Sequence, residues 1–177
     1  MTAPAAKTTP DDIAITPRDI HFATEAAHGK AWLGGDPVAT AAFNAMSLTF
    51  PDGERLFMDA VRHYRGELTG KLLEDAKAFI KQEAIHSREH VALNGGLDRS
   101  HYPIEEIETE IRGRIKATRE RGPIAMLGVT IALEHFTAMM AEVTLEDGSI
   151  FDGTPEAILR LWQWHALEET EHKAVAF

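Results

Sequence analysis

Two glutamate–histidine pairs spaced by three residues, Glu83–His86 in QEAIH and Glu169–His172 in EETEH, constrain this chain more than any other feature. Side chains three or four positions apart share a face only on an α-helix. Extending each pair along that period gives Leu72, Ala76, Phe79, Glu83, His86 and His90 on one segment, and Ile158, Trp162, His165, Glu169, His172 and Ala176 on another. Two further stripes carry one carboxylate each: Glu54, Phe57, Val61, Tyr64 and Leu68, then Ile124, Leu127, Ile131, Glu134, Ala138, Ala141 and Leu145. Four helices with apolar stripes interrupted by ionisable groups predict an all-α, four-helix bundle whose centre is polar.

A buried, unpaired charge destabilises a fold by several kcal/mol, so it is paired or it binds a cation. The four glutamates Glu54, Glu83, Glu134 and Glu169 are too many for the histidines on the same stripes to neutralise. Two divalent cations would balance them. One glutamate from each of two helices and Glu-x-x-His from each of the other two is the ligand set that dinuclear carboxylate proteins project into a bundle core. Mixed carboxylate and imidazole ligands suit iron or manganese, and zinc also accepts them. The expected cofactor is therefore two metal ions, iron first, with manganese or zinc as alternatives.

Residues 1–20 are rich in Pro, Thr and Ala and are expected to form a flexible N-terminal arm, with residues 21–177 as a single helical domain. A short helix is expected over Pro37–Leu48. Phe50-Pro51-Asp52-Gly53 reads as a breaker that opens a helix from Glu54 to Leu68. Thr69-Gly70 is a turn, and the next helix runs to Leu93 before Asn94-Gly95-Gly96. A crossover helix with Ile104, Ile107, Ile111 and Ile115 as its stripe spans 104–120. Gly122-Pro123 starts the third ligand-bearing helix, and Thr154-Pro155 is a candidate N-cap and first-turn proline for the last.

Composition excludes several classes. The chain has no cysteine, so thiolate metal sites, disulfides and cysteine nucleophiles are out. A formal charge of −10 opposes phosphate-backbone binding, so no nucleic-acid partner is expected. The basic cluster Arg112, Arg114, Lys116, Arg119 and Arg121 shares its helix with five glutamates and reads as a solvated face. No membrane span is expected, and residues 1–20 have no apolar signal core, so the default location is cytoplasmic.

These residues resemble the ferritin-like di-iron carboxylate superfamily. More narrowly, FPDGERLF, QEAIHSREHVALN, ALEHFTA and WQWHALEETEHKAVAF look like the family labelled predicted metal-dependent hydrolases, over about residues 35–177. The resemblance implies Glu54, Glu83, His86, Glu134, Glu169 and His172 as metal ligands, with one or two glutamates bridging. His165, four residues before Glu169, has a spacing similar to that of the arylamine N-oxygenases, in which an extra histidine binds one iron. His90 and His165 fall at the same end of the site if their helices are antiparallel, and each is a candidate seventh ligand or a partner of one. Glu168 is the alternative to Glu169 in this register, Glu171 is expected in solvent, and His135 is expected in an interhelical contact. His21, His28, His63 and His101 have no motif partner and are expected at the surface. Trp162 and Trp164 are expected in the core or at a subunit interface, and Phe57, Phe79, Phe136 and Met139 as pocket walls. The chain ends at Phe177, five residues after His172, whereas family members usually continue with further helical sequence. The implied alternatives are a shortened chain or an apolar end packed on a second copy, a homodimer.

The leading functional expectation is an O₂-activating di-iron oxidase or oxygenase on a small organic substrate. A hydrolase using metal-activated water is the alternative, with His90 or His165 as general base if neither is a ligand. A non-catalytic metal-handling protein is the third.

Overall fold

The computed structural model describes residues 13–172 and Val175. It consists of five helices: α1 (Pro37–Tyr64), α2 (Gly70–Asn94), α3 (Ile104–Glu120), α4 (Pro123–Glu146) and α5 (Glu156–Glu171). Helices α1, α2, α5 and α4 pack in a ring, each against the next, and α3 lies against α1 and α4. The architecture is all-helical and bundle-like, as the stripes predict.

Two apolar clusters cap a polar layer. Phe57, Val61, Ala76, Phe79 and Met126 form one, and Trp32, Leu33, Leu93, Ile158, Leu161 and Trp162 form the other. Along α2 the order is Ala76 and Phe79, then Glu83 and His86, then Leu93. Along α5 it is Ile158 and Trp162, then His165 and Glu169, with Val175 beyond. The opposite order shows that α2 and α5 run antiparallel.

The sequence expectation of a break at Phe50–Gly53 is wrong: α1 is one helix of 28 residues with Pro51 inside it. Asp36 caps its start, with Oδ1 accepting from Val38 N at 2.8 Å and Ala39 N at 3.1 Å. A proline within a helix leaves the carbonyl four residues earlier without its amide partner. Here that carbonyl is Ser47 O, and Asn94 Nδ2 donates to it at 3.0 Å. A neighbouring helix thus supplies the hydrogen bond the proline withholds.

Two further expectations fail. The last helix starts at Glu156 after Pro155, and Thr154 gives no capping bond. The stripe of α4 is Met126, Thr130, Glu134, Ala138 and Ala141; Ile124 and Leu145 are exposed. This helix is apolar all round, with a mean hydropathy of 1.6 over 18 residues, enough by length and composition to cross a membrane. Its buried stripe packs on α1 and α5, and composition alone did not mark which of its faces would be buried.

Residues 13–22 do not form a loose arm; they strap α2 and α5, and residues 1–12 lie outside the described part. Thr16 N donates to Glu171 Oε2 at 2.8 Å, Arg18 N to Glu168 Oε1 at 2.9 Å, and Phe22 N to Glu89 Oε2 at 3.0 Å. Extended backbone on a helix surface needs acceptors for its amides, and carboxylates of α2 and α5 provide them. The apolar end expected to pack on a second copy lies largely outside the described residues as well.

Candidate metal centre

The polar layer draws on all four bundle helices: Glu54 from α1, Glu83, His86 and His90 from α2, Glu134 from α4, and His165 and Glu169 from α5, with His172 at its end. All eight are buried. Two groups of three bring their ligand atoms within 4.8 Å of one another: Glu54, His86 and His165, and Glu83, Glu169 and His172.

Glu169 joins the groups. Its Oε1 lies 3.0 Å from His165 Nε2 and 3.6 Å from both His86 Nδ1 and His172 Nδ1. Thr137 Oγ1 donates to its Oε2 at 2.5 Å. Glu134 Oε2 lies 3.0 Å and Glu83 Oε1 3.1 Å from His172 Nδ1. Glu54 Oε2 accepts from Ser87 Oγ at 2.7 Å. Five atoms of this layer have no hydrogen-bond partner: Glu54 Oε1, Glu83 Oε1 and Oε2, His86 Nδ1 and Glu134 Oε1. Buried polar atoms are normally paired, and these five are the electron-pair donors a cation would bind.

Hydrogen bonds on the outer side of each ring fix the tautomers. His86 Nε2 faces Glu168 Oε2 at 3.0 Å, and Arg18 holds the other Glu168 oxygen at 3.1 Å. The carboxylate accepts, so the proton sits on Nε2 and Nδ1 is bare toward the cluster. Gln82 Nε2 donates to Glu171 Oε2 at 2.8 Å, which turns its oxygen toward His172 Nε2 at 3.1 Å. His172 therefore also keeps its outer proton on Nε2 and points Nδ1 inward.

The third ring is set by a chain. Asn94 gives its amide hydrogens to Ser47 O, so its Oδ1 accepts from Ser47 Oγ at 2.7 Å. Having spent its proton, Ser47 Oγ accepts from His90 Nδ1 at 2.8 Å. His90 Nε2 is then bare and accepts from His165 Nδ1 at 2.7 Å. In a neutral ring that assignment puts the His165 proton on Nδ1, and Nε2, 3.0 Å from Glu169 and 3.9 Å from Glu54, would then offer its lone pair to an ion between them. Both nitrogens of His90 are engaged outside the cluster, so His90 orients a potential ligand, and His165 could be one. Outer partners of this kind commonly hold metal-binding histidines.

The metal-free electrostatics agree. Burial, followed by the charges of neighbouring glutamates, raises Glu83 well above the ordinary carboxylate range. Burial also raises Glu54 well above it, with Glu169 and Glu134 adding and Ser87 opposing. Burial pushes Glu134 up to about 7 against the pull of His172. Burial alone would lower His172, but Glu134 and Glu169 outweigh it and hold it at about 9. Burial, then the other histidines, lowers His86 well below its ordinary value. Burial works against the Glu169 charge too, but His172, then His165 and Thr137, hold it down to about 2, so protons offset the other carboxylates while Glu169 keeps its charge.

Several sequence expectations change at the periphery. Glu171 is held by Arg18, Gln82 and Thr16, and Glu168 serves His86 from outside the cluster. His135 is exposed on α4. Phe136 and Met139 are 54% and 46% exposed on the outer face of α4, and Phe57 belongs to an apolar cap. Phe79 does reach the site, edge-on to His172 at 4.7 Å between centroids. Sequence reasoning missed Ser47, Gln82, Asn94 and Thr137. Asn94 continues the stripe at His86 and His90, and Ser47 continues the stripe of Glu54 once α1 is read through Pro51.

Fold and site together define a helical protein with a buried carboxylate–histidine cluster that fits metal ions. The chain belongs to the family of predicted metal-dependent hydrolases, whose family model matches residues 16–177. No curated protein and no solved structure matches it.

Proposed function

We propose that this chain is a hydrolase whose two buried ligand groups each hold one divalent cation. The observation that carries this reading is the set of five unpartnered electron-pair donors in one buried layer, the inward Nδ1 of His86 among them. Glu54, His86 and His165 would hold one ion, Glu83, His172 and Glu134 the other, with Glu169 between them. The arrangement is similar to that of ferritin-like dinuclear carboxylate bundles. Bound cations at such a site lower the pKa of water and polarise a substrate carbonyl.

The protein's own residues do the rest. Thr137 keeps Glu169 turned so that Oε1 faces all three histidines. Gln82, Glu168 and His90 prevent the rings from rotating, and the apolar caps above and below the layer exclude bulk water. Glu134, whose Oε1 has no hydrogen-bond partner, would be the carboxylate beside the attacking water that takes its proton. Hydrolysis then adds the water oxygen to the acyl carbon and breaks the bond to the leaving group, which departs with a proton.

The test is metal content per chain by mass spectrometry, with a Glu83→Ala/Glu169→Ala double variant beside it, followed by hydrolysis of a p-nitrophenyl ester. Two ions per chain, lost in the folded double variant, and metal-dependent ester cleavage are expected. Folded protein without stoichiometric metal would overturn the proposal. A second reading, O₂ activation by a di-iron centre, is favoured by the ligand composition, four glutamates with three histidines and no cysteine, which suits iron. Two irons with substrate-dependent O₂ consumption and no ester cleavage would replace the first reading with the second.

A further inference from the structure

A narrow, half-open cleft lies between α1, α4 and α5 and ends at the carboxylate–histidine cluster. Its walls are Phe43, Met46 and Phe50 from α1, Met140 and Ala141 from α4, and Trp162 from α5, and its floor is His165 and Glu169. One floor residue comes from each of the two ligand groups, so a molecule entering here meets both halves of the centre.

The lining selects by charge. It contains no lysine or arginine, so an anionic tail would find no counter-charge. Its single carboxylate, Glu169, belongs to the ligand cluster at the floor, so the walls offer a cationic tail no counter-charge either. Aromatic rings and two flexible methionine side chains accept apolar groups of varied shape.

We propose that this cleft holds the apolar tail of a neutral substrate, with the reacting carbonyl at His165 and Glu169. The substrate class is then an uncharged carboxylic ester or amide bearing an aliphatic chain. This rests on the hydrolytic metal-site reading for the reaction, but the recognition of the tail does not depend on which reaction follows.

Acetohydroxamate and octanohydroxamate share a metal-binding head and differ in tail length, so the ratio of their dissociation constants on the metal-loaded chain reads the cleft directly. Each buried methylene tightens binding about fourfold, equivalent to ~0.8 kcal/mol. Even partial burial of the six additional carbons predicts at least a 100-fold preference for the longer probe. Suberic monohydroxamate, with a terminal carboxylate on a tail of similar length, should lose most of that gain. Ala141→Leu and, at the same α4 wall, Thr144→Phe should each bring the ratio towards one with metal content unchanged. Equal affinities in the unaltered protein, or a preference that survives both substitutions in folded protein, would overturn the proposal. The unaltered ratio decides the matter even if a variant fails to fold. A retained tail preference without ester hydrolysis would refute the hydrolase reading while leaving the cleft assignment standing, and absence of bound metal would refute the metal-site reading separately.

Discussion

Replacing His90 by leucine separates a ligand from the residue that orients one. His90 is fully buried, with Nδ1 2.8 Å from Ser47 Oγ and Nε2 2.7 Å from His165 Nδ1. In His90→Leu, Ser47 still donates to Asn94, but the His165 Nδ1–H loses its acceptor in a dry interior. A buried donor left unpaired destabilises by about 1–3 kcal/mol, so the metal-free variant should unfold at lower denaturant by that amount. His165 can relieve this by moving its proton to Nε2, the atom that faces the cluster, and the move must be reversed before that nitrogen can bind. Loss of an outer partner typically weakens metal binding about 10–100-fold, or about 1.4–2.8 kcal/mol. The assay is competition against a chromophoric chelator, with stoichiometry from mass spectrometry. Unchanged stoichiometry, weaker affinity at one site and partial recovery in His90→Gln are expected, while His165→Ala should lose an ion. A missing ion in His90→Leu would make His90 a ligand, and unchanged affinity would refute the chain of tautomers.

Gln82→Met removes the acceptor on His172 Nε2 at similar volume and should weaken metal binding about tenfold, read by the same chelator competition. Arg18→Met releases the strap from Glu168 and Glu171 and should lower stability by about 1–3 kcal/mol in chemical denaturation, with faster amide exchange along residues 13–22. The pH dependence should have opposite signs with and without metal. In the metal-free protein Glu134 at about 7, His172 at about 9 and the raised Glu54 and Glu83 are all shifted up. Stability from a raised pKa is complete below the unfolded value and is lost as pH rises through the folded one. The metal-free melting temperature should therefore climb as pH falls from about 9 to 6.5. Below 6.5 the trend should stall, because His86 and His90 are shifted down. The metal-loaded protein should instead lose ions as pH falls, since protons compete for the same atoms. Melting curves that move in parallel would contradict this.

The layer of candidate ligands was legible because a three-four period places a side chain on a face whatever its chemistry. Glu54, Glu83, His86, Glu134, Glu169 and His172 reach one layer for that reason, and the antiparallel order of α2 and α5 brings His90 to His165. What period cannot give is the direction of a hydrogen bond. His90 and His165 share one stripe geometry, and only the atoms beyond them, Ser47 and Asn94 on one side and Glu169 on the other, tell partner from candidate ligand. The strap was illegible for a different reason. Residues 13–22 have no periodic pattern, and their order comes from acceptors on helices some 70 to 150 residues away in sequence. The walls of the cleft were missed because α4 is apolar all round, so hydropathy does not mark which of its faces lines a cavity.

Pro51 shows how a local rule can fail and still be informative. Read alone, Phe-Pro-Asp-Gly ends a helix, because proline removes a hydrogen bond and crowds the preceding turn. The buried positions Thr40, Asn44, Ser47, Glu54, Met58 and Val61 nevertheless keep the helical period across it. The tertiary structure overrides the break by supplying Asn94 Nδ2 to the Ser47 carbonyl. That substitute bond fixes the Asn94 amide, which directs the Ser47 hydroxyl, which fixes His90 and through it His165. A Pro51→Ala variant offers Ser47 O an ordinary helical amide and loosens the hold on Asn94. It should leave α1 intact by circular dichroism yet weaken the site at His165 in the chelator competition. Retained affinity with an intact helix would mean that Asn94 is oriented by Ser47 Oγ alone, and that the proline contributes nothing to the metal centre.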